Sequence, residues 1–391
     1  MKMFKKAIAF ALSAILTLSL CTAVSAATII NCGDYGYASN GNGTYLLYSY
    51  SGDQTNLDLP DNLYEMPVVG IYENCFKDSN ITSVNIPSSY KSIGNSTFYG
   101  CSALTSITIP DNIEEIGSMA FASCENLSTV EFSGTPKITS IPYAAFKGDT
   151  SLSEFTVPDS VTKIASYAFS KSGLQTVIVH DALTEIGSYA FSECSSLNSV
   201  TLPASLENIE EYSFYKCANL QSVEFPAGLS SIGNRAFSDC SALTGVDLPT
   251  SLTTIGKYAF YNDTSIGELF VPDSVTSIGA DSFSPMGHSN TIKVSYYKNS
   301  YAETYCYENY IVFYKNNEKV DTSCEKIYGD VNLDGKVNIR DVTFIQMYRA
   351  ELIPRFSYRA MELADVDRIG GVTIRDATNI QLYLVGLITE F

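Results

Sequence analysis

The sequence has no tryptophan, two histidines and few basic residues, and each shortage narrows the range of functions. Trp is the commonest aromatic anchor for sugars, so its absence argues against a dedicated carbohydrate platform. His180 and His288 have no nucleophile motif around them, which argues against histidine-based catalysis. Lys and Arg number 24 against 42 Asp and Glu. Because so acidic a chain repels phosphate backbones, we expect no nucleic-acid partner.

Long apolar runs are missing beyond the N-terminus. The chain begins with three lysines, continues with an apolar stretch from Ala7 to Leu20, and reaches small residues at Val24-Ser25-Ala26. This order is typical of a secretory signal peptide over 1–26. The alternative is a lipoprotein anchored at Cys21, but Leu20 is bulky where such a site needs a small residue. We therefore predict a secreted, extracellular protein with no membrane span.

A repeat of about 23 residues occupies most of the chain. Segments 104–126, 197–219 and 220–242 share the pattern L-x-x-V-x-L-P-x-x-L-x-x-I-G-x-x-A-F-x-x-C-x-x. One marker phenylalanine stands in each turn: Phe76, Phe98, Phe121, Phe146, Phe169, Phe191, Phe214, Phe237, Phe260 and Phe283. Each repeat offers a short alternating strand stopped by proline and a second apolar pair before a glycine bend. Since one turn cannot bury these residues alone, stacked turns predict a parallel-stranded solenoid.

This pattern resembles the bacterial surface type of leucine-rich repeat, called BspA-like or Treponema-type, over about 57–290. The segment "GTYLLYSYSGDQTNLDLP" at 43–60 resembles the strand hairpin that caps such a solenoid. Residues 291–314 resemble the strand–helix–strand cap at the other end. The resemblance implies a solenoid domain with its caps over 28–314. It also implies a surface or secreted protein that binds another protein, a cell surface or a glycan, and it leaves that ligand open.

The cysteines follow the repeat. Nine remain after loss of the signal peptide, and five of them lie three residues after a marker Phe: Cys101, Cys124, Cys194, Cys217 and Cys240. Asp149, Ser172 and Asp263 fill the same column in other turns. Because a disulfide framework would not tolerate that exchange, we predict reduced structural thiols. Disulfides between adjacent turns are one alternative. A metal-binding ladder is another, although it lacks the His and C-x-x-C pairs that such sites favour.

A second column holds tyrosine two residues before the marker, at Tyr167, Tyr189, Tyr212 and Tyr258. Three of these stand on consecutive turns, so their rings could line one face. Aromatic rows can stack on sugar rings or anchor a protein partner. The alternative is that repeat drift has filled a half-exposed position with Tyr. We take the four tyrosines as the candidate ligand face of the solenoid.

The C-terminal part carries a calcium loop, "GDVNLDGKVNIRD", at 329–341. Calcium needs six or more oxygens, and the EF-hand spacing wraps them around one point. The expected ligands are Asp330, Asn332, Asp334, the main chain of Lys336, and Asp341. Gly335 provides the sharp turn between them. Residue types and spacing both match, which makes this signal strong.

A second loop, "ADVDRIGGVTIRD", follows at 364–376. Its ligands would be Asp365, Asp367, the main chain of Gly371, and Asp376. Ile369 stands where the first loop has Asp334, so one direct oxygen ligand is lost. The helix sequences after the loops also repeat, with a shift of 35 residues between "VNIRDVTFIQMY" and "VTIRDATNIQLY". We predict two calcium sites, of which the second is weaker.

The duplicated module resembles a type I dockerin domain over 329–391, after a polar linker at 315–328. The resemblance implies calcium-dependent binding to a cohesin module of a scaffoldin. Carried over from the family, the contact residues are Ile339, Arg340, Gln346 and Met347 in the first copy, and Ile374, Arg375, Gln381 and Leu382 in the second. The pair at loop positions 10 and 11 is Ile-Arg in both copies here, where the family often has Ser-Thr. The alternative for these residues is an ordinary exposed helix start.

The predicted fold class is α+β: a parallel-stranded leucine-rich-repeat solenoid with caps, plus a small all-α calcium-binding dockerin module. The first interpretation of function is a monomeric, non-catalytic cellulosome component that assists polysaccharide degradation. The second is a glycoside hydrolase-like enzyme, for which the repeats leave little room between 43 and 314. The third is a free surface adhesin whose C-terminal module only adds calcium-dependent stability.

Overall fold

The protein is described by a computed structural model over residues 29–283. Beyond these, it describes residues 293–296, 301–302, 305, 313–315, 318–319, 337, 339, 342–343, 345–346 and 373–384. From Met66 onwards the chain winds through about ten turns, one for each marker Phe. One continuous apolar core runs through all of them. The signal-peptide interpretation of 1–26 falls outside the described residues.

The N-terminal end is closed by antiparallel strands. Ile30–Cys32 pairs with Tyr35–Ser39, which pairs with Tyr45–Tyr50. Tyr45–Tyr50 then lies parallel to Met66–Ile71, whose own antiparallel partner is Asn62–Leu63. The antiparallel pairing therefore begins before residue 43, where the sequence pattern placed the cap.

The front sheet is formed by the short strands in which apolar and polar residues alternate, one in each turn. The strands of the front sheet pair in parallel and in register within five groups, and most of them place a buried apolar residue such as Val84 or Val177 in the core. They are Asn56–Asp58, Ser83–Asn85, Ser106–Ile109, Thr129–Phe132, Glu154–Thr156, Thr176–Ile178, Ser199–Thr201, Ser222–Glu224, Gly245–Val246, Glu268–Val271, Lys293–Tyr296 and Phe313–Lys315. The short strand Glu318–Lys319 pairs antiparallel with the last of these and lies inside the segment interpreted as a linker.

The back sheet is made of much shorter strands, most of them two residues long. Each contributes one buried isoleucine to the core and one outward residue. After Met66–Ile71 the strands are Ser92–Ile93, Glu115–Ile116, Ser140–Ile141, Lys163–Ile164, Glu185–Ile186, Asn208–Ile209, Ser231–Ile232, Thr254–Ile255 and Ser277–Ile278. They pair in parallel within three groups, which end at Glu115–Ile116, Glu185–Ile186 and Ser277–Ile278.

The third side of the solenoid is formed by the marker turns, which are the segments around each marker Phe. In these segments, residues with a left-handed backbone lie two positions before and two positions after the marker. In one turn the N–H groups of Tyr167, Phe169 and Lys171 donate to three carbonyls of the next turn at 2.8–3.1 Å. Tyr167 and Lys171 have φ of 61° and 63°, in the left-handed region. The same two columns are left-handed in turn after turn. Because a non-glycine residue resists this region by about 1–2 kcal/mol, the hydrogen-bonded side imposes it against local preference.

The marker phenylalanines stack as one continuous column inside the core. Consecutive rings from Phe76 to Phe283 lie 5.2–6.0 Å apart between centroids, with interplanar angles of 3–12°. Each ring is buried. The spacing is close to the ~4.8 Å that separates paired strands, so the rings follow the rise of the backbone.

The cysteine column is a ladder of free thiols among the described residues. The Sγ of Cys101, Cys124, Cys194, Cys217 and Cys240 donates to the carbonyl of the preceding turn's marker Phe at 3.0–3.2 Å. Burial raises the pKa of the Cys194 thiol, so it stays protonated and can donate. Each thiol donates to the carbonyl of a marker Phe. This hydrogen bond gives the cysteine column a structural role.

Asp149 and Asp263 occupy that column as buried carboxyls. The Oδ1 of each accepts the N–H of the cysteine one turn earlier, at 2.9 and 2.7 Å. The Oδ2 of each has no partner among the described residues. Burial raises the pKa of both carboxyls well above the ordinary range. A protonated Oδ2 would be a donor, as the thiol is in neighbouring turns.

In the C-terminal module the described helix Ile374–Leu384 belongs to the second copy, and residues 339, 342–343 and 345–346 of the first copy are also helical. Its buried residues Ala377 and Ile380 match the buried Val342 and Ile345 of the first copy, 35 positions earlier. The two copies therefore bury equivalent residues, as the duplicated sequence predicts.

We expect Phe191→Ala to lower the free energy of unfolding by about 3–5 kcal/mol, because it removes a fully buried ring and leaves a cavity between two stacked neighbours. Urea denaturation of the full chain measures the change. Phe270→Ala is the matched control, since that ring is 40% exposed. A loss for Phe191→Ala no larger than that of the control would contradict the importance of the column.

We expect the folded state to lose stability as pH rises from about 4, the ordinary carboxyl pKa of the unfolded chain. Above that pH the unfolded chain releases the proton that the raised folded pKa of Asp149 retains. Asp149→Asn keeps an acceptor and supplies a permanent donor. Thermal melting from pH 4 to 8 should show a smaller decline for this variant and a higher melting temperature at pH 7. An unchanged pH profile would show that Asp149 is ionised in the fold.

Candidate functional site

Three of the four predicted tyrosines form a stack on the third side of the solenoid. Tyr167 and Tyr189 have centroids 4.5 Å apart with an interplanar angle of 6°. Tyr189 and Tyr212 are 4.4 Å apart at 7°. All three are half-buried and have left-handed backbones. Tyr258 shares the column but is separated from the stack by the turn that carries Arg235.

Stacking decides which part of each ring a ligand can reach. Both faces of Tyr189 are covered, one by Tyr167 and the other by Tyr212. The outward parts are ring edges and hydroxyls. Partial burial, together with the charges of Tyr212 and Tyr167, raises the pKa of Tyr189 to about 12. The hydroxyl therefore remains a hydrogen-bond donor at neutral pH.

Cations lie against tyrosines along the same side. The Lys147 Nζ is 5.2 Å from the Tyr167 ring centroid, and the Arg235 guanidinium carbon is 4.3 Å from that of Tyr258. Two more pairs, Lys77 with Tyr99 and Lys216 with Tyr215, lie in other marker turns. We call this surface the Tyr–cation face: Tyr143, Tyr167, Tyr189, Tyr212, Tyr215 and Tyr258 with Lys147, Lys216 and Arg235.

Column alignment identified four of the six tyrosines of this surface and none of its cations. Arg235 occupies the same column as Tyr189. Its position in a column of tyrosines was a sequence signal that could have placed Arg235 on this surface. Tyr143 stands one position earlier in its turn, so column counting misses it. It is 46% exposed and meets the Tyr167 ring edge-on, with centroids 5.7 Å apart.

A groove with a volume of about 550 Å³ lies on the front sheet near its N-terminal end. Its polar lining includes Asn56, Asp58, Asn85, Thr108 and Asp111. The Asn85 amide donates to Asp58 at 3.2 Å, which holds both side chains in place. No cationic side chain lines the groove, so its chemistry does not suit an anion.

In the second calcium loop, Asp376 is the predicted ligand that the structure describes. Its buried Oδ2 accepts hydrogen bonds from the backbone N–H and the hydroxyl of Thr373, at 2.7 and 2.8 Å. Thr373 in turn caps the helix by accepting from Arg375 N–H at 3.2 Å. This reciprocal cap orients a carboxylate at the helix start, where loop position 12 should be.

The other predicted calcium ligands lie outside the described residues: Asp330, Asn332, Asp334, Lys336, Asp341, Asp365, Asp367 and Gly371. A donor set of carboxylates, one amide and main-chain carbonyls suits calcium chemically. Within the described residues, Asp376 is compatible with such a loop, because it is buried and oriented at the end of the sequence that supplies the other oxygens.

The two predicted cohesin-contacting segments have matching surroundings. Ile339 and Ile374 are each 60% exposed, which is unusual for isoleucine in a folded module. One turn later, Thr343 donates to the Ile339 carbonyl and Thr378 to the Ile374 carbonyl, both at 3.0 Å. Gln346, Arg375 and Gln381 are also exposed, Leu382 is half-buried, and Arg340 and Met347 lie outside the described residues.

The residues that the structure describes contain no cluster of His, Cys, Asp and Glu able to hold a metal ion. His180 contacts the Pro158 carbonyl at 2.8 Å through its Nε2, which is a structural hydrogen bond. His288 lies outside the described residues. In the same part of the chain, no helix combines the length and apolar character needed to cross a bilayer.

Three solved structures are among those similar to this chain. A leucine rich cell surface protein from Faecalibacterium prausnitzii is 24% identical, with 71% of this chain and 96% of that one covered and a TM-score of 0.39. A leucine-rich repeat protein from Bacteroides ovatus is 24% identical, with 73% and 99% covered and a TM-score of 0.40. The pneumococcal vaccine antigen PcpA is 17% identical, with 75% and 98% covered and a TM-score of 0.46. No curated relative matches the sequence.

Family models match both parts of the chain. The BspA type leucine rich repeat region matches residues 69–198 and 184–313, and the dockerin type I domain matches residues 328–385. The first covers well over half of the chain, and it agrees with the stacked turns, the parallel sheets and the phenylalanine column. The chain therefore belongs to the BspA-type leucine-rich repeat family and carries a type I dockerin domain at its C-terminal end.

Proposed function

We propose that this protein is a secreted, non-catalytic component of a cellulosome-type complex. The observation that carries the proposal is the joining, on one chain, of a binding scaffold and a dockerin. Type I dockerins bind cohesins, and leucine-rich repeats bind proteins. The dockerin would attach the chain to a cohesin of a scaffoldin, and the solenoid would present a ligand-binding surface to its surroundings.

The solenoid is proposed as the recognition part because its third side carries a rigid aromatic surface. Stacked tyrosines such as Tyr189 lose little conformational entropy on binding, because neighbouring rings already fix them. Tyr and Arg are also the residues most enriched at binding hot spots.

On the dockerin, we propose that the two Ile-Arg pairs form alternative cohesin contacts. Ile339 with Arg340 and Ile374 with Arg375 are related by the duplication, and the described members have equal exposure and equivalent helix-start hydrogen bonds. An exposed apolar anchor beside Arg suits a protein contact. Equivalent copies would allow either half to dock after a half-turn of the module.

Two other functions are weaker. An enzyme would need a catalytic group, but the solenoid and the dockerin are non-catalytic domain types. A contribution to polysaccharide degradation would therefore be that of an accessory. A free adhesin would need the dockerin to have no cohesin partner, and the binding experiment below separates that case. We propose that the protein acts as a monomer on the scaffold.

We expect the full chain to bind at least one member of a panel of type I cohesins when calcium is present and to lose binding in EDTA. Ile339→Ala/Arg340→Ala and Ile374→Ala/Arg375→Ala should each leave the Kd within about threefold, because the other copy can dock. The quadruple variant, which combines both double substitutions, should weaken cohesin binding at least about hundredfold. Biolayer interferometry measures each Kd.

The matched control is Leu384→Ala, which alters an exposed apolar residue of the same helix outside the predicted contact. It should leave the Kd unchanged. Loss of binding in one double variant alone would show a single fixed orientation. Failure of every cohesin to bind would favour the free adhesin.

We expect titration calorimetry of the full chain to show two calcium-binding events, the weaker one from the loop 365–376, because Ile369 removes one oxygen ligand. Asp365→Ala should abolish the weak event, and Asp330→Ala the tight one. Each variant serves as the control for the other. One event in the unaltered chain would contradict the second site.

A further inference from the structure

We infer that the Tyr–cation face binds a protein partner through that partner's acidic surface. The inference rests on the proposed function of the solenoid as a binding module, and it adds the chemistry of the partner. Four observations carry it: the orientation of the tyrosine rings, the placement of the cations, the lack of ion pairs for most of those cations, and the length of the face.

The ring orientation is unsuited to sugar stacking. A sugar ring stacks on an open aromatic face, but both faces of Tyr189 are covered by its neighbours. One face of Tyr258 lies beneath the Arg235 guanidinium. What the stack offers to a ligand is its ring edges and hydroxyls, on rings whose centroids lie 4.4–4.5 Å apart. Hydroxyl donors suit acceptor oxygens, such as carboxylates.

The cations of the solenoid are concentrated on the same side. Residues 29–283 contain nine Lys and Arg against 28 Asp and Glu. Six of the nine lie in marker turns: Lys77, Lys147, Lys171, Lys216, Arg235 and Lys257. The other three lie on or beside the back sheet. The strongly acidic solenoid therefore has one side on which its basic residues are gathered.

Most of these six cations lack a carboxylate partner. The three lysines of the back sheet all pair with glutamate at 2.7–4.0 Å. In the marker turns, only Lys171 forms such a pair, with Glu193 at 3.7 Å, among the described residues. Four of the others lie on tyrosine rings instead. The same turns also hold Glu193, Glu211 and Asp239, and the charges of Glu193 and Asp239 act on Lys216. Lys147 and Arg235, in contrast, form no ion pair among the described residues, so the carboxylates of another molecule would complement them.

The dimensions favour a protein over a small acidic ligand. The face extends from Tyr143 to Tyr258, six turns of the solenoid, or about 24 Å at the usual strand spacing. It is rigid, because its side chains are stacked on each other. A rigid, extended surface that carries Tyr and Arg is typical of protein interfaces, in which these two residue types carry much of the binding energy.

The test uses the full chain and three polymers measured by biolayer interferometry at 0.15 M salt: poly-L-glutamate as the protein carboxylate, polygalacturonate as a carboxylated glycan, and cellohexaose as a neutral glycan. We expect binding to poly-L-glutamate. Lys147→Glu/Arg235→Glu should weaken it at least about tenfold, because two attractive charges become repulsive. Tyr189→Phe, which keeps the stack and removes one hydroxyl, should weaken it severalfold.

The matched control is Lys91→Glu/Lys163→Glu, which changes the net charge equally but on the back sheet. It should leave the affinity for poly-L-glutamate within about twofold. Melting temperatures of all variants confirm that they are folded. Cohesin binding should persist in every variant, so a failure of this inference and a failure of the dockerin assignment would be distinguishable.

Several results would overturn the inference. They are absence of poly-L-glutamate binding, an equal loss in the back-sheet control, or face-dependent binding of either glycan in preference to poly-L-glutamate. Light scattering adds one more, since concentration-dependent association that Lys147→Glu/Arg235→Glu abolishes would identify a second copy of this chain as the occupant.

Discussion

The structure depends on one constraint: each residue of a turn must stack on the residue at the same position in the next turn. The phenylalanine column shows the constraint most directly, since rings such as Phe169 and Phe191 lie parallel at 5.4 Å along the rise of the backbone. Stacking of like on like lets one hydrogen-bonding pattern continue through all turns. It also lets a single residue type recur in a column, because a side chain that fits once fits again.

The same constraint explains why the third side of the solenoid has unusual chemistry. Its inter-turn hydrogen bonds hold two columns in the left-handed region, although residues such as Tyr167 and Lys171 resist it. The conformational cost of the left-handed residues recurs in each turn. Stacking of rings on rings and of cations on rings offsets it. The result is a surface of large, half-exposed side chains that are fixed in place. Such a surface can bind a partner with little loss of side-chain conformational entropy.

The C-terminal module follows a different principle. The solenoid gains stability by adding turns, whereas the dockerin has two copies of a loop and helix and would depend on calcium to order the loops. Its duplication gives equal surroundings to Ile339 and Ile374. One chain thus joins an extended recognition surface to a compact attachment module, and neither part carries a catalytic domain type.

The sequence alone determined the repeat, the buried phenylalanines, the family of each part and the duplication, because periodic burial leaves a periodic pattern. It also favoured structural thiols over disulfides. Only the tertiary structure decided that the tyrosines cover each other's faces, that Arg235 and Tyr143 belong with them, and that Asp149 is buried with an open oxygen. These facts depend on which side chains meet across turns and in what orientation. A column in a sequence says that residues are neighbours, but it does not say which of their surfaces remain exposed.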